Sequence, residues 1–135
     1  MIKIPVHKSF NLIMIDMFFL DLNSKKYKKA LIAVDTGAST TVISSEVLSK
    51  LGYDLTKFKK EKITTASRTE YVGYGKIQKL KLGDFELNNI DVYSHDFPED
   101  NFYAEGVLGL NVLTKFDVNF LFSQNLIEFT PRKDT

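Results

Sequence analysis

The sequence contains no cysteine. That excludes disulfides, thiolate metal sites and a cysteine nucleophile, and it is compatible with a reducing compartment. Charge bias is also missing: 18 basic and 17 acidic residues leave a formal net charge of +1, so nothing directs the chain to nucleic acid or to an anionic membrane. The longest apolar run, Leu12 to Leu20, is broken by Asp16 and is too short to span a bilayer. The opening Met1-Ile2-Lys3-Ile4-Pro5 lacks the charged, apolar, small-residue order of a signal peptide. Repeats, linkers and low-complexity tracts are absent. The expectation is a soluble, cytoplasmic protein with no nucleic-acid or membrane partner, folded as a single domain over residues 1–135.

The core has material to draw on: 44% of the residues are hydrophobic, including 11 Phe and 6 Tyr. The stretch around which the chain is organised is Leu31-Ile-Ala-Val-Asp35-Thr36-Gly37-Ala38-Ser39. Its apolar, partly β-branched start suits a buried strand. Asp35 then stands at the strand end, and Gly37 permits a tight turn and close backbone approach.

Upstream, Phe10 to Leu22 reads as a long buried strand, Asn23–Lys26 as a turn, and Tyr27 to Val34 as the returning strand. Downstream, Thr41–Ile43 reads as a short strand. A two-turn helix follows, with a serine cap, Glu46 in its first turn and Gly52 at its stop. Phe58–Lys62 reads as a solvated charged face. Lys62 to Ala66 and Tyr71 to Leu82 read as the arms of a hairpin with a polar tip at Ser67–Glu70, loosened by Gly73 and Gly75, the composition of a movable flap. Gly83-Asp84 is a two-residue hairpin signal, and Ile90–Ser94 continues as strand. His95 to Asn101 reads as an acidic surface loop; neither His95 nor the isolated His7 has ligand partners at useful spacing. After Gly106-Val-Leu-Gly109-Leu-Asn111-Val-Leu113, with its short helical pattern, Phe116–Phe120 and Asn125–Phe129 alternate as strands. Many short strands with one or two short helices make a mainly β domain.

Two motifs make the chain resemble the retropepsin-like aspartic proteases, the single-lobe relatives of pepsin, as a non-viral, bacterial-type member. Ala33-Val34-Asp35-Thr36-Gly37-Ala38 matches the family's first motif, and Val107-Leu108-Gly109 with the helical Leu110–Leu113 matches its second. The spacing leaves room for a flap, and the similarity in layout runs from about Phe10 to Phe129. The resemblance implies a closed, mostly antiparallel β fold with a flap hairpin, and it implies that Gly109 packs beneath Asp35, where a side chain would crowd the acid. Retroviral relatives pair an acid and an arginine at the positions held here by Ser39 and Leu110. Both partners are absent together, so viral-style dimer contacts are not expected.

The chemistry implied is peptide hydrolysis by two carboxylates that share a proton around one water, with no metal and no cofactor. One Asp-Thr-Gly per chain then requires a C2 homodimer, with Asp35 and its mate on the axis. By the same resemblance, Thr36 braces the pair and Gly37 offers its carbonyl to a peptide or protein substrate. Ala38, Thr65, Ala66, Ser67, Arg68 and Leu110 contact that substrate. Where relatives carry serine in place of Ala38, its hydroxyl favours the charged carboxylate, so alanine implies an only mildly acidic optimum. Two other readings stand beside this one: a catalytically silent peptide-binding or dimerisation module of the same fold, and an unrelated small β-barrel with Asp35 in an ordinary turn.

Overall fold

Apolar residues that alternate along short strands give the chain its architecture. The computed structural model describes residues 1–8, 11–64, 69–96 and 104–133. Phe10, the Thr65–Arg68 segment and the Phe97–Asn101 part of the acidic loop lie outside the described residues. In chain order the strands are β1 (Ile2–Pro5), β2 (Met14–Leu20), β3 (Tyr27–Val34), β4 (Thr41–Ser44), β5 (Lys59–Thr64), β6 (Thr69–Leu82), β7 (Phe85–His95), β8 (Gly106–Leu108), β9 (Phe116–Leu121) and β10 (Leu126–Pro131). Helix α1 (Ser45–Lys50) follows β4, and α2 (Leu110–Leu113) follows β8.

The larger sheet runs β2-β3-β8-β4-β7-β6-β5, and β2 also pairs with β6 through Phe18↔Lys81 and Phe19↔Leu80. That second pairing closes six strands into a barrel and leaves β5 outside it as the partner of β6 alone. The barrel interior is filled by Ile15, Met17, Phe19, Ile32, Ile43, Ile77, Leu80, Leu82 and Leu108, all essentially inaccessible. Burial of each such side chain is worth about 1.5–3 kcal/mol against the unfolded chain. A smaller sheet, β1-β10-β9, lies beside the barrel. An edge-to-face ring contact joins the two, Phe85 on Phe116 at 5.3 Å, and Phe116 in turn packs on Phe129 within the smaller sheet at 5.6 Å.

Several expectations are corrected. The first strand is shorter than Phe10–Leu22. Asp21 ends it by accepting the N–H groups of Asn23 (2.8 Å) and Ser24 (3.1 Å), which turns the chain toward β3. Beyond lacking a leader pattern, the opening segment forms a strand: Ile2–Pro5 is β1, paired in register Ile2↔Phe129 to Pro5↔Leu126, and Pro5 is tolerated because β1 is a sheet edge. Ser44 precedes α1 but makes no side-chain capping bond. Phe58 is half-buried against the core, while β5 after it alternates as a strand that is only partly covered. His7 is not isolated: its Nε2 lies 3.0 Å from Asp16 Oδ1. His95 ends β7, with Nε2 3.1 Å from Glu70 Oε2. The Gly83-Asp84 hairpin is present as read, and Gly83 takes the positive φ (+59°) that such a turn needs.

Three surface carboxylates are held below their ordinary value of 3.8 by hydrogen bonds. For Asp21 the main cause is the Ser24 and Asn23 amides; for Asp54 it is the Thr56 hydroxyl and amide; for Asp91 it is the Lys76 ammonium at 2.7 Å. A carboxylate with a depressed folded pKa stabilises the fold above its unfolded pKa, and that contribution disappears as pH falls through the folded value. The urea midpoint is therefore expected to drop as pH falls below 3.8. The drop should be smaller in Asp54→Asn, as read by circular dichroism.

Candidate functional site

β3 is the innermost route to Asp35. Its last residues pair in parallel with β8 through Ile32↔Gly106, Ala33↔Val107 and Val34↔Leu108. The Asp35 N–H then donates to the Leu108 carbonyl at 3.1 Å, so the strand end is tied to the residue just before Gly109. The chain turns at once, and the Ala38 N–H donates to the Asp35 carbonyl at 3.2 Å. The Gly37 N–H donates to Asp35 Oδ1 at 2.8 Å, which fixes the carboxylate in one orientation. A Cβ at Gly37 would lie 3.1 Å from that same oxygen, so glycine is what lets backbone and acid come this close. Asp35, Thr36 and Gly37 are all exposed on the single chain, and Ala38 is half-buried.

The far end of the turn is held by α2. Ala38 and Ser39 carbonyls accept the N–H groups of Leu110 (2.8 Å) and Asn111 (3.1 Å). These bonds join the turn to α2 at the two positions, Ser39 and Leu110, where viral relatives would place an ion pair. A Cβ at Gly109 would fall 2.7–2.9 Å from the Thr40 carbonyl carbon and oxygen and the Ala38 carbonyl oxygen. The atoms such a methyl would meet first are the backbone of Ala38 and Thr40, in the turn that carries Asp35.

Sequence reasoning passed over two residues that hold this arrangement together. Thr41 is buried, and its hydroxyl donates to Asn111 Oδ1 (2.8 Å) while accepting the Gly109 N–H (3.1 Å). Asn111 Oδ1 also accepts the Thr41 N–H (2.9 Å), and its Nδ2 donates to the Asp91 carbonyl (2.8 Å) on β7. The signal was available: a polar Thr41 stands directly before the apolar Val42-Ile43 pair, and Asn111 interrupts the apolar Leu110–Leu113 helix. Thr41→Val keeps the shape and removes the hydroxyl, leaving the Gly109 N–H without its acceptor. We expect a loss of about 1–3 kcal/mol in urea denaturation, most of it recovered in Thr41→Ser.

Of the residues expected to meet substrate, Ala38 and Leu110 lie side by side at the turn, and Leu110 is exposed. Thr65, Ala66, Ser67 and Arg68 fall outside the described residues. A cavity of about 620 Å³ opens elsewhere, between Ser45, Phe58, Tyr71 and His95, and no residue of the 35–41 turn lines it. Among the described residues, no group of three or more His, Asp or Glu is placed to hold a metal ion, and no helix is long and apolar enough to cross a membrane. A carboxylate aimed by one backbone donor and open to water can give or take a proton; acid and base work together need a second one.

Comparison with known proteins agrees with this geometry. A family model described as "gag-polyprotein putative aspartyl protease" matches residues 22–115, a span that contains both motifs. The crystal structure of a retropepsin-like aspartic protease from Rickettsia conorii matches with a TM-score of 0.68 at 25% identity, covering 95% of this chain and 88% of that one. No curated protein matches the sequence. The unrelated-barrel reading is thereby set aside: the strand order, the Asp35 turn and the sequence match converge, and the chain belongs to the retropepsin-like aspartyl protease family.

Proposed function

We propose that this protein is an aspartic endopeptidase that works as a homodimer, with Asp35 of each subunit contributing one carboxylate. The observation that carries the reading is the exposure of Asp35 on a turn braced from both ends, inside a chain that matches a protease family. Such bracing has little structural purpose for a surface turn residue, but it suits a group whose orientation decides a reaction.

In the dimer the two carboxylates meet across the two-fold axis. Like charges that close do not both ionise, so the pair holds one proton. The ionised carboxylate takes a proton from a water held between them, and the water oxygen bonds to the peptide carbonyl carbon. The protonated carboxylate gives its proton to the carbonyl oxygen, forming a tetrahedral diol. Collapse breaks the carbon–nitrogen bond: a diol proton returns to one carboxylate, and the leaving nitrogen takes a proton from the other. Thr36 braces the pair across the axis, and the Gly37 carbonyl accepts from the substrate backbone. The peptide lies extended as an added strand. Ala38, Leu110 and the Thr65–Arg68 segment flank it.

The test is digestion of an unbiased peptide library across acidic to mildly alkaline pH. Defined endoproteolytic cuts support the reading; no cut at any pH, with the dimer intact, favours a silent peptide-binding module. A second measurement probes the residue beside the acid. Ala38→Ser is expected to move the acid limb of the pH–rate profile downward, because a serine hydroxyl stabilises the charged carboxylate. An unmoved limb would remove Ala38 from that role.

A further inference from the structure

Gly73 and Gly75 stand two residues apart on β6, so both open toward the same face of the strand. That face is occupied. Phe58, between the short 3-10 turn Leu55–Lys57 and β5, lays its ring across it. A Cβ at Gly75 would come within 2.9 Å of three ring atoms of Phe58. A Cβ at Gly73 would lie 3.2 Å from Phe58 Cβ and would collide with the Ser94 hydroxyl. Tyr53 supports the ring edge-to-face at 6.5 Å and 74°. Its own hydroxyl accepts the Gln78 N–H (2.8 Å) further along β6, and burial pushes that hydroxyl's pKa up, so it stays neutral. On the strand's other face Tyr74 packs on Tyr93, with ring centroids 5.4 Å apart.

The place along β6 matters. Gly73 pairs with Lys60 of β5 and with Ser94 of β7, so three strands lie abreast there. β7 ends at His95, while β5 and β6 continue to Thr64 and Thr69 as a two-stranded arm. Two strands alone are marginal in water, and glycine weakens a strand further. The arm therefore leaves the sheet at its softest point, and Phe58 supplies from outside the packing that two missing side chains do not. The contact between His95 and Glu70 (3.1 Å) is a polar tie from the end of β7 to the same arm.

We propose that Phe58 is the positioning residue of the β5–β6 arm: its ring, seated on the Gly73–Gly75 gap, sets the angle at which the arm meets a bound peptide. It acts through the glycine pair and does not touch the substrate. The inference rests on the peptidase reading for its consequence in turnover, but the mechanical part is read without any catalysis.

The experiment is amide hydrogen exchange on the full chain, with a reciprocal pair of substitutions. Phe58→Ala is expected to speed exchange of the Tyr71–Lys76 amides by about tenfold, because opening of the arm no longer breaks the ring contact. Gly75→Ala alone, by pushing the ring aside, should do the same. In the double variant the added methyl enters vacated space, so the two effects do not add. Where cleavage is measurable, KM should rise about tenfold in Phe58→Ala with kcat held within about twofold, and Phe58→Leu should recover part of the loss. Phe58→Leu also carries the exchange comparison if Phe58→Ala does not fold. Additive effects overturn the proposal, as does faster exchange in β2 and β3 with Tyr71–Lys76 unmoved. Absence of cleavage by the wild type, with the exchange pattern as expected, would count against the peptidase reading and leave Phe58 in its role.

Discussion

If the proposed mechanism holds, Asp35→Asn abolishes peptide cleavage while leaving the fold and the proposed dimer in place. Asparagine has the size of aspartate and keeps an oxygen that can accept the Gly37 N–H, held at 2.8 Å in the native turn. The exposed side chain makes no contribution to the core. Stability is therefore expected to change little. Chemistry is another matter. In the proposed symmetric dimer one substitution removes both carboxylates, and with them the acid and the base. Each such role is worth about 10²–10⁴ in rate, so the combined loss is at least about 10⁴-fold. The measurement is kcat/KM on a peptide cut by the wild type, with circular dichroism and light scattering confirming an unchanged dimer. Residual cleavage within tenfold of wild type, or cuts that persist unchanged, would point to another source of activity and remove Asp35 from the mechanism.

Gly109→Ala is expected to damage both the fold and the reaction. A methyl at this position meets backbone at 2.7–2.9 Å, at Thr40 and at Ala38, and a backbone cannot step aside as a side-chain end can. Either β8 retreats, stretching the Asp35 N–H bond to Leu108, or the turn shifts, breaking the bonds from Leu110 and Asn111. Overpacking of this kind costs about 1–3 kcal/mol. Because the turn carries Asp35, displacement of about 1 Å is enough for a hundredfold loss of kcat beyond what the lost stability explains. Urea denaturation and single-turnover kinetics read the two parts separately. A variant with native stability and native turnover would show that the close packing has no role in aiming the acid. Thr41→Ser, which retains the hydroxyl that accepts the Gly109 N–H, provides the mild comparison.

Local sequence was most informative where one residue type alone can do a job. The apolar alternation and the turn residues were enough to indicate a mainly β domain with Asp35 at a strand end, and the resemblance of the Ala33–Ala38 and Val107–Leu113 motifs implied the family and the closed β fold. The hairpins at Asn23–Lys26 and at Gly83-Asp84 were legible for the same reason. The serine before α1 misled, since a capping bond depends on a rotamer that sequence does not specify. Residues 1–5 carried the alternation Ile2, Lys3, Ile4, yet nothing local announces that their partner is β10, more than a hundred residues away.

What only the tertiary structure decided are the contacts made across long separations. The closing of the barrel by Phe18 and Phe19 on β6 depends on strands sixty residues apart finding one register. The backbone that a methyl at Gly109 would meet belongs to Ala38 and Thr40, which lie about seventy residues away in the chain. Thr41 and Asn111 were ordinary polar residues until the fold placed one hydroxyl between an amide and a carboxamide. Phe58 looked like the start of a solvated charged face, and Gly73 and Gly75 like slack in a strand. Folding set the ring into the gap the glycines leave, and packing of that kind lies in the match of shapes between segments, which no single segment contains.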